Sequence, residues 1–244
     1  MKCERAIPFN PECHSHSSAI QSQPMDFALV PNLYLGTSSW SAESWAGPFY
    51  PPGTRPADFL PFYATQFRTV EIDSTYYRMP SRKMVHGWRD RTPPGFIFAA
   101  KFPGEITHKK LLEDCERETA EFLSVMELLG EKQGPLLLQF PYLSQEAMPN
   151  SDVFYERLAR YLERLPRTRR YTVEVRNRQW LTQPLLDLLR KHGVALALVD
   201  QVWMPTITQL WEKLDVLTDD LTCIRWIGDQ YASDELISFV MTMC

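Results

Sequence analysis

Seven short apolar runs, separated by longer segments, constrain the fold of this chain more than any other feature of its sequence. The runs begin with LYLGTSS at 33–39 and TVEIDST at 69–75 and end with LTCIRWIG at 221–228. The segments between them include LLEDCERETAEFLSVMELLG, which ends at Gly130, and LTQPLLDLLRKHG, which ends at Gly193. Apolar residues recur there at three- and four-residue spacing, and a glycine at the end is typical of a helix C-terminus. Buried strands that alternate with helices indicate a parallel sheet.

The spacing of these units predicts the fold class. Units of about 30 residues favour an α/β fold of the TIM type, a (β/α)8 barrel, over an open doubly wound sheet. No Gly-x-Gly-x-x-Gly turn follows the first strand, which weakens a dinucleotide-binding interpretation. One apolar run, ELISFVMTM at 235–243, is left for an eighth strand. It either replaces that strand or ends an incomplete barrel. We favour the second interpretation, because a crossover between parallel strands normally needs about a dozen residues.

The N-terminal segment differs in composition from the rest of the chain. Residues 1–28 are mostly polar and lack the apolar stretch of a signal peptide, so we predict a disordered extension there and a single barrel domain at 29–244. No apolar run approaches the ~20 residues that a membrane span needs. The five cysteines are odd in number and scattered, which argues against a disulfide framework. The predicted compartment is the cytoplasm.

Polar side chains follow every predicted strand, at the end where barrel enzymes carry their catalytic groups. They are Thr37, Ser38 and Trp40 after strand one; Glu71, Asp73 and Tyr76 on or after strand two; Lys101 and His108 at or after strand three; Gln139 on strand four; Glu174 and Arg176 on strand five; Asp200 on strand six; and Arg225 on strand seven. Surface strands would instead alternate polar and apolar residues along their whole length. We therefore expect these side chains to meet at one mouth of the barrel.

Strands two and five carry the same local pattern, TVEID and TVEVR. Residues two apart in an extended chain point to the same side, so Glu71 and Asp73 are expected on one face of strand two. Glu174 and Arg176 take the matching face of strand five. Taken alone, an inward-facing ion pair such as Glu71–Lys101 or Glu174–Arg176 needs no functional explanation, because the two charges neutralise each other inside a barrel. Together, a ring of charges that converges on one mouth is typical of a functional site.

Acid–base chemistry on a small polar ligand, similar to a sugar or a phosphate, is the function that this ring predicts. Glu71 and Glu174 are the predicted base and acid, or orienting carboxylates. Lys101 is a predicted catalytic group that acts as general acid, Schiff-base amine or anion clamp. His108 follows a strand end and is the predicted proton shuttle. The other residues of the set are predicted to contact the ligand, and the arginines among them to stabilise negative charge.

Two other functions stay open. The same mouth can hold a metabolite without catalysis. A metal-dependent phosphodiester hydrolase is the other, because carboxylates and histidine bind divalent metals; the side chains concerned are Glu71, Asp73, His108, Glu174 and Asp200. No tight spacing such as His-x-x-x-His occurs, so we predict no metal site and no cofactor, and leave a divalent metal open.

The charge of the chain bears on its partners. A formal net charge of −4 over 244 residues gives no electrostatic argument for nucleic acid or for an anionic membrane. The missing basic footprint counts against a nuclease in particular. A small molecule is the expected partner, and the sequence is silent on the oligomeric state.

The chain resembles the YecE-like family, a domain of unknown function numbered 72, from about residue 33 to residue 229. The matching motifs occur in the family's order: LYLGTSSW, FYPPG, TVEIDSTYYRMPS, TPPGFIFAAKFPGEITH, GPLLLQFP, YTVEVRNRQW, HGVALALVD and IRWIGD. The resemblance implies a TIM-type barrel with its polar cluster at the C-terminal mouth. It implies no established reaction.

The chain departs from the family's pattern in three places. Asp73 stands where the family usually has Asn, and residues 177–180, NRQW, stand where it has His-Pro-Ser-Trp. Residues 229–244 contain no counterpart of the family's last strand with its Tyr-Phe-Asn-Asn-His motif. The resemblance therefore implies a barrel that is truncated at its C-terminus. A truncated product without a cooperative core is a further interpretation.

Overall fold

The structure, a computed structural model, describes residues 32–228 and 239–243. The predicted N-terminal extension at 1–28 lies outside the described residues, and so does the first part of the apolar run at 235–243. Within the described ranges, no helix has both the length and the apolar character that crossing a membrane requires.

Strands and helices alternate along most of the described chain. The strands are β1 (Leu33–Thr37), β2 (Thr69–Ile72), β3 (Ile97–Lys101), β4 (Gln133–Gln139), β5 (Tyr171–Glu174), β6 (Ala195–Gln201), β7 (Cys223–Gly228) and β8 (Phe239–Met243). The α-helices are α1 (Pro56–Gln66), α2 (Ser74–Tyr77), α3 (Arg82–Asp90), α4 (Glu116–Met126), α5 (Ser151–Arg164), α6 (Gln183–His192) and α7 (Ile207–Trp211). Short 3-10 or π-helical segments lie at Glu43–Trp45, Glu105–Lys109, Glu127–Lys132 and Arg178–Trp180.

Two of the predicted helices show where the sequence pattern located a helix end correctly and where it did not. Helix α6 ends where predicted, and Gly193 behind it has a left-handed φ of 62°. Helix α4 is shorter than its apolar pattern suggested. Leu111 and Leu112 have positive φ values and cannot be helical. Gly130, with a φ of 60°, lies in the 3-10 segment that follows α4 rather than at the helix end.

The sheet is a curled half-barrel. Strands β2 to β7 form one parallel six-stranded sheet in chain order. Strand β1 lies beside β2, where the Ser39 N–H donates to the Glu71 carbonyl at 2.9 Å. Gly36 permits this approach, since a Cβ atom there would lie 2.1 Å from the Thr69 carbonyl oxygen. With helices flanking the sheet, the fold is α/β and forms an incomplete TIM-type barrel, which confirms the predicted fold class.

Strand β8 occupies the end of the last apolar run. It pairs antiparallel with β1, so that Leu33 lies opposite Met243 and Thr37 opposite Phe239. It also lies next to β7. The length that a crossover needs applies only to parallel strands, so a run this close to β7 can still join the sheet in the opposite direction. Part of the run is therefore a strand, and the barrel of parallel units stays incomplete.

Alternation along the strands separates two apolar layers. Leu136 and Phe98 belong to the main core, which packs between sheet and helices. Leu137 belongs instead to a small separate cluster with Ala197 and Cys223. Neighbours on one strand point to opposite faces, which explains why Leu136 and Leu137 lie in different clusters. The inner face thus has only a small apolar layer, and polar side chains follow it towards the carboxyl ends of the strands.

Candidate functional site

Three charged side chains, from β2, β5 and β7, form a buried network inside the barrel. Arg225 donates from Nε to Glu71 Oε2 at 3.0 Å and from Nη2 to Glu71 Oε1 at 2.7 Å. Its Nη1 donates to Glu174 Oε2. The exposed fractions are 4% for Arg225, 3% for Glu71 and 0% for Glu174. Because water does not reach these charges, the protein must satisfy them with ion pairs and hydrogen bonds.

All four carboxylate oxygens of this network accept hydrogen bonds. Ser38 Oγ donates to Glu71 Oε1 at 3.1 Å, and Arg176 Nε donates to Glu174 Oε1 at 2.5 Å, as predicted for that pair. Burial alone would raise the pKa of Glu174, but the guanidiniums of Arg225 and Arg176 outweigh it and hold this pKa below its ordinary value. Burial would also lower the pKa of Arg225, and its two carboxylate partners raise it instead. Glu174 and Arg225 are therefore ionised at neutral pH.

Arg176 connects this network to an open cavity of about 770 Å³. Its Nε is held by Glu174, and its Nη1 donates to Gln201 Oε1. Within the described part of the chain, Nη2 has no hydrogen-bond partner. The side chain is 19% exposed and lines the cavity. Arg176 thus presents a guanidinium that is fixed on one side and has N–H groups to spare on the other.

The cavity lies at the end of the barrel where β3 to β6 finish. Its polar and aromatic lining consists of the cationic or imidazole side chains His108, Arg176 and Arg178, the carboxamides Gln139, Gln179 and Gln201, and the aromatic rings Tyr142 and Trp203. No carboxylate lines it among the described residues. Positive charge without negative charge in a cavity wall suits an anionic ligand.

His108 lies in the π-helical segment after β3. Its Nδ1 is 2.9 Å from Thr107 Oγ1, and its ring packs edge-on against Tyr76, which borders a neighbouring cavity of about 390 Å³. Burial first, and then the positive charges of Lys101 and Arg176, lower the pKa of His108. The imidazole is therefore neutral at pH 7, which is the form that accepts a proton in general base catalysis.

Lys101 pairs with Asp73 and not with Glu71. Its Nζ lies 2.6 Å from Asp73 Oδ1. The parallel register sets Glu71 beside Ala99, so Lys101 is level with the residue two positions beyond Glu71. Strand β2 ends at Ile72, and Asp73 starts the turn into α2 with helical angles. The extended geometry that predicted a shared face ends before Asp73, and the predicted Glu71–Lys101 pair is wrong.

Of the residues that were predicted to bind ligand, only Gln139 and Arg176 line this cavity. Ser38, Asp73, Tyr76 and Arg225 make the contacts described above, and three more residues make contacts elsewhere. Thr37 is buried, and its Oγ1 donates to a backbone carbonyl at 2.7 Å. Trp40 packs edge-on against Trp88 with ring centres 5.8 Å apart. Asp200 accepts a hydrogen bond from Trp226 Nε1 at 3.0 Å. The binding roles of these residues stay predictions.

Five polar or aromatic residues of the cavity lining were not predicted from the sequence. They are Tyr142, Arg178, Gln179, Gln201 and Trp203. All of them lie at the last position of a strand or in the loop behind it. The rule that barrel sites form at strand ends applies to whole loops as well, and that broader rule would have selected them.

The residues considered as metal ligands do not come together. Among the described residues, no three His, Cys, Asp or Glu side chains lie close enough to hold a metal ion. Glu71 and Glu174 share Arg225, and Asp73 binds Lys101. The phosphodiester hydrolase stays a prediction, which metal analysis of the purified protein tests.

Comparison with known proteins adds relatives in bacteria. The family model described as "Protein of unknown function DUF72" matches residues 34–242. The UPF0759 protein YecE of Escherichia coli strain K12 is 30% identical over 174 residues, which are 69% of this chain and 59% of that protein. The UPF0759 protein YunF of Bacillus subtilis strain 168 is 26% identical over 162 residues, 64% of this chain and 54% of that protein. The chain spans less than two thirds of the length of these curated relatives.

Two solved structures share the fold. A DUF72 family protein from Thermotoga maritima MSB8 is 31% identical, with a TM-score of 0.64 over 81% of this chain and 75% of that chain. A DUF72 family protein from Enterococcus faecalis V583 is 21% identical, with a TM-score of 0.59 over 82% of this chain and 72% of that chain. The resemblance seen in the motifs is confirmed, and this chain belongs to the DUF72 family.

Proposed function

We propose that the chain binds a small anionic ligand in the cavity at the barrel mouth and acts on it by acid–base chemistry. The observation that carries the proposal is the state of Arg176. Glu174 and Gln201 hold its guanidinium, and its Nη2 has no partner among the described residues. A guanidinium that is already positioned binds a carboxylate or phosphate without first losing side-chain freedom. His108 lines the same cavity and supplies the base.

The buried network positions Arg176 in this proposal. Glu174 lies between Arg176 and Arg225 and has no free oxygen for a substrate proton. Glu71 holds Arg225 from the other side. This assignment differs from the prediction that the two glutamates transfer protons, and the pH profile of turnover separates the two.

The pH profile follows from the surroundings of His108. Burial has the largest influence and lowers the pKa of His108. The charges of Lys101 and Arg176 lower this pKa further, and the charge of Glu174 raises it. We expect the acid limb of kcat/KM below pH 6.5, the ordinary value of the group, and we expect His108→Asn to remove that limb. An acid limb that His108→Asn leaves in place would assign the proton transfer to another group.

Binding without catalysis is the second candidate function. It is favoured because every carboxylate oxygen of Glu71 and Glu174 already accepts a hydrogen bond within the protein. His108 is then the one group in the described cavity lining that titrates near neutral pH. Saturable binding of a metabolite without any product would support this candidate.

Phosphate binding tests the anion site directly. The purified chain is titrated with inorganic phosphate and pyrophosphate, and the heat of binding is measured. We expect Arg176→Gln to weaken binding at least about tenfold, because a charge-assisted pair is lost. Arg160→Gln is the matched control, since Arg160 is an arginine on the outer helix α5. Equal affinities of Arg176→Gln and the unchanged protein would overturn the proposal.

Turnover tests the catalytic half of the proposal. The protein is incubated with a pool of phosphorylated and carboxylated metabolites, and consumption and product are followed by mass spectrometry. We expect a product that His108→Asn forms about 10²–10⁴-fold more slowly, since the neutral imidazole is the proposed base. A product that forms equally fast in His108→Asn would show that acid–base catalysis by His108 is wrong.

The cytoplasm is the compartment that we propose for this activity. The odd number and wide scatter of the five cysteines support it, since disulfide-poor chains are typical of reducing compartments. Cell fractionation followed by immunodetection tests the assignment, and recovery outside the cytoplasmic fraction would contradict it.

A further inference from the structure

We infer that the ligand of this cavity is a phosphorylated sugar, with its phosphate on Arg176 and Arg178 and its ring against Trp203. The inference rests on the proposed function and names the substrate class of the same site. Three kinds of side chain in one cavity carry it: exposed aromatic rings, carboxamides and arginines. Each kind recognises a different part of such a molecule.

The aromatic rings are the first observation. Tyr142 and Trp203 are each 68% exposed, although large aromatic side chains are usually well buried. Both line the cavity, one from the loop after β4 and the other from the loop after β6. An aromatic face at the edge of a pocket offers apolar area to a ring that is otherwise polar, such as the C–H face of a sugar. Trp211 is 55% exposed on α7 and does not line this cavity, so it serves as the comparison.

The carboxamides are the second observation. Gln139, Gln179 and Gln201 come from the end of β4, the segment after β5 and the end of β6. Each carboxamide has donors and an acceptor, and a sugar hydroxyl is likewise both donor and acceptor. Gln201 uses its oxygen for Arg176 and keeps its amide nitrogen. Carboxamides on three separate elements fit hydroxyl groups distributed around a ring, whereas a nucleobase presents its polar groups in one plane along its edge.

The arginines are the third observation. Arg178 is exposed and forms no salt bridge with any described residue, and Arg176 keeps its Nη2. The planar guanidinium matches the oxygens of a phosphate, and the described lining contains no carboxylate to compete for it. A cavity of about 770 Å³ is in the range that holds a small metabolite.

Binding of defined phosphate esters tests the inference. The probes are glucose 6-phosphate, fructose 6-phosphate and ribose 5-phosphate, and the reference is glycerol 3-phosphate, which has the same phosphate group without a ring. We expect at least one sugar phosphate to bind about tenfold or more tightly than the reference, as one stacked ring and its hydrogen bonds allow. We expect Trp203→Ala to remove this advantage, Trp203→Phe to retain most of it, and Trp211→Ala to leave it unchanged.

The outcomes separate this inference from the proposed function. If all three sugar phosphates bind no more tightly than glycerol 3-phosphate, the sugar inference is overturned. The proposed function then stands if Arg176→Gln still weakens the binding of glycerol 3-phosphate, and it falls if no phosphate compound binds. Adenosine monophosphate is the last probe. Binding about tenfold tighter than that of ribose 5-phosphate would overturn the sugar in favour of a stacked base.

Discussion

The floor and the wall of this barrel mouth use the same residue types for different purposes. On the floor, Glu71, Glu174 and Arg225 are at most 4% exposed, and every carboxylate oxygen there has a donor. On the wall, Arg176 and Arg178 reach an open cavity and keep N–H groups without partners among the described residues. Glu174 and Arg176 are two residues apart, so the boundary between floor and wall crosses a single strand end. Depth and saturation, rather than residue type, decide which charges are available to a ligand.

The variant Arg225→Met tests the difference between floor and wall with the largest expected effect. The change leaves two buried carboxylates without their shared cation, and we expect the free energy of unfolding to fall by about 3–5 kcal/mol. Urea unfolding at pH 7 measures it. Arg178→Met on the wall is the matched control and should stay within about 0.5 kcal/mol. Equal losses in the two variants would show that floor and wall do not differ.

Glu174→Gln sharpens the role of ionisation on the floor. The variant keeps the shape of the side chain and removes its charge, and we expect a loss of about 2 kcal/mol at pH 7. The pKa of Glu174 is lowered in the folded protein from an ordinary value of 4.5, so its stabilisation is complete well above pH 4.5 and is lost as the pH falls through the folded value. The difference between variant and parent should therefore shrink in acid. Unfolding midpoints in urea from pH 7 to pH 3 measure it, and a difference that is constant with pH would contradict the assignment.

Lys101→Met probes an ion pair of intermediate depth. The side chains of Lys101 and Asp73 are 12% and 30% exposed. We expect a loss of about 1 kcal/mol, which added salt reduces, because partly exposed pairs are screened. Unfolding in urea at low and at high salt measures it. Lys109→Met, which removes the exposed pair with Glu105, is the control and should change nothing measurable. A loss as large as that of Arg225→Met would show that depth does not rank these pairs.

His192→Leu should have the smallest effect. His192 is buried at the end of α6, and neither ring nitrogen has a hydrogen-bond partner among the described residues. Burial, followed by Lys191, lowers its pKa from an ordinary 6.5, so the native state loses stability as the pH falls below 6.5. The variant should lose less stability than the parent between pH 7 and pH 5.5, as thermal melts would show. A parallel pH dependence in the two proteins would mean that His192 does not contribute.

Local pattern was enough for the fold class and for part of the site. Alternation along β5 predicts the Glu174–Arg176 pair, because residues two apart on one strand meet wherever the strand lies. The rule that barrel sites form at strand ends selected Gln139 and Arg225. Alternation failed at Asp73, because β2 ends one residue earlier and the chain turns into α2.

What the sequence determined by itself is the succession of strands and helices, the curled parallel sheet and the strand ends at which polar groups gather. Tertiary structure decided the partners. Arg225 meets Glu71 across 154 positions of sequence, and that contact depends on how the sheet curls rather than on any local pattern. The cavity wall was decided in the same way, because the curl of the sheet brings Gln201 at the end of β6 and Trp203 in the loop behind it next to residues that follow β3, β4 and β5. Burial is a property of the packed chain. It separates charged residues of the same types into a floor that holds Arg176 in position and a wall that is available to a ligand.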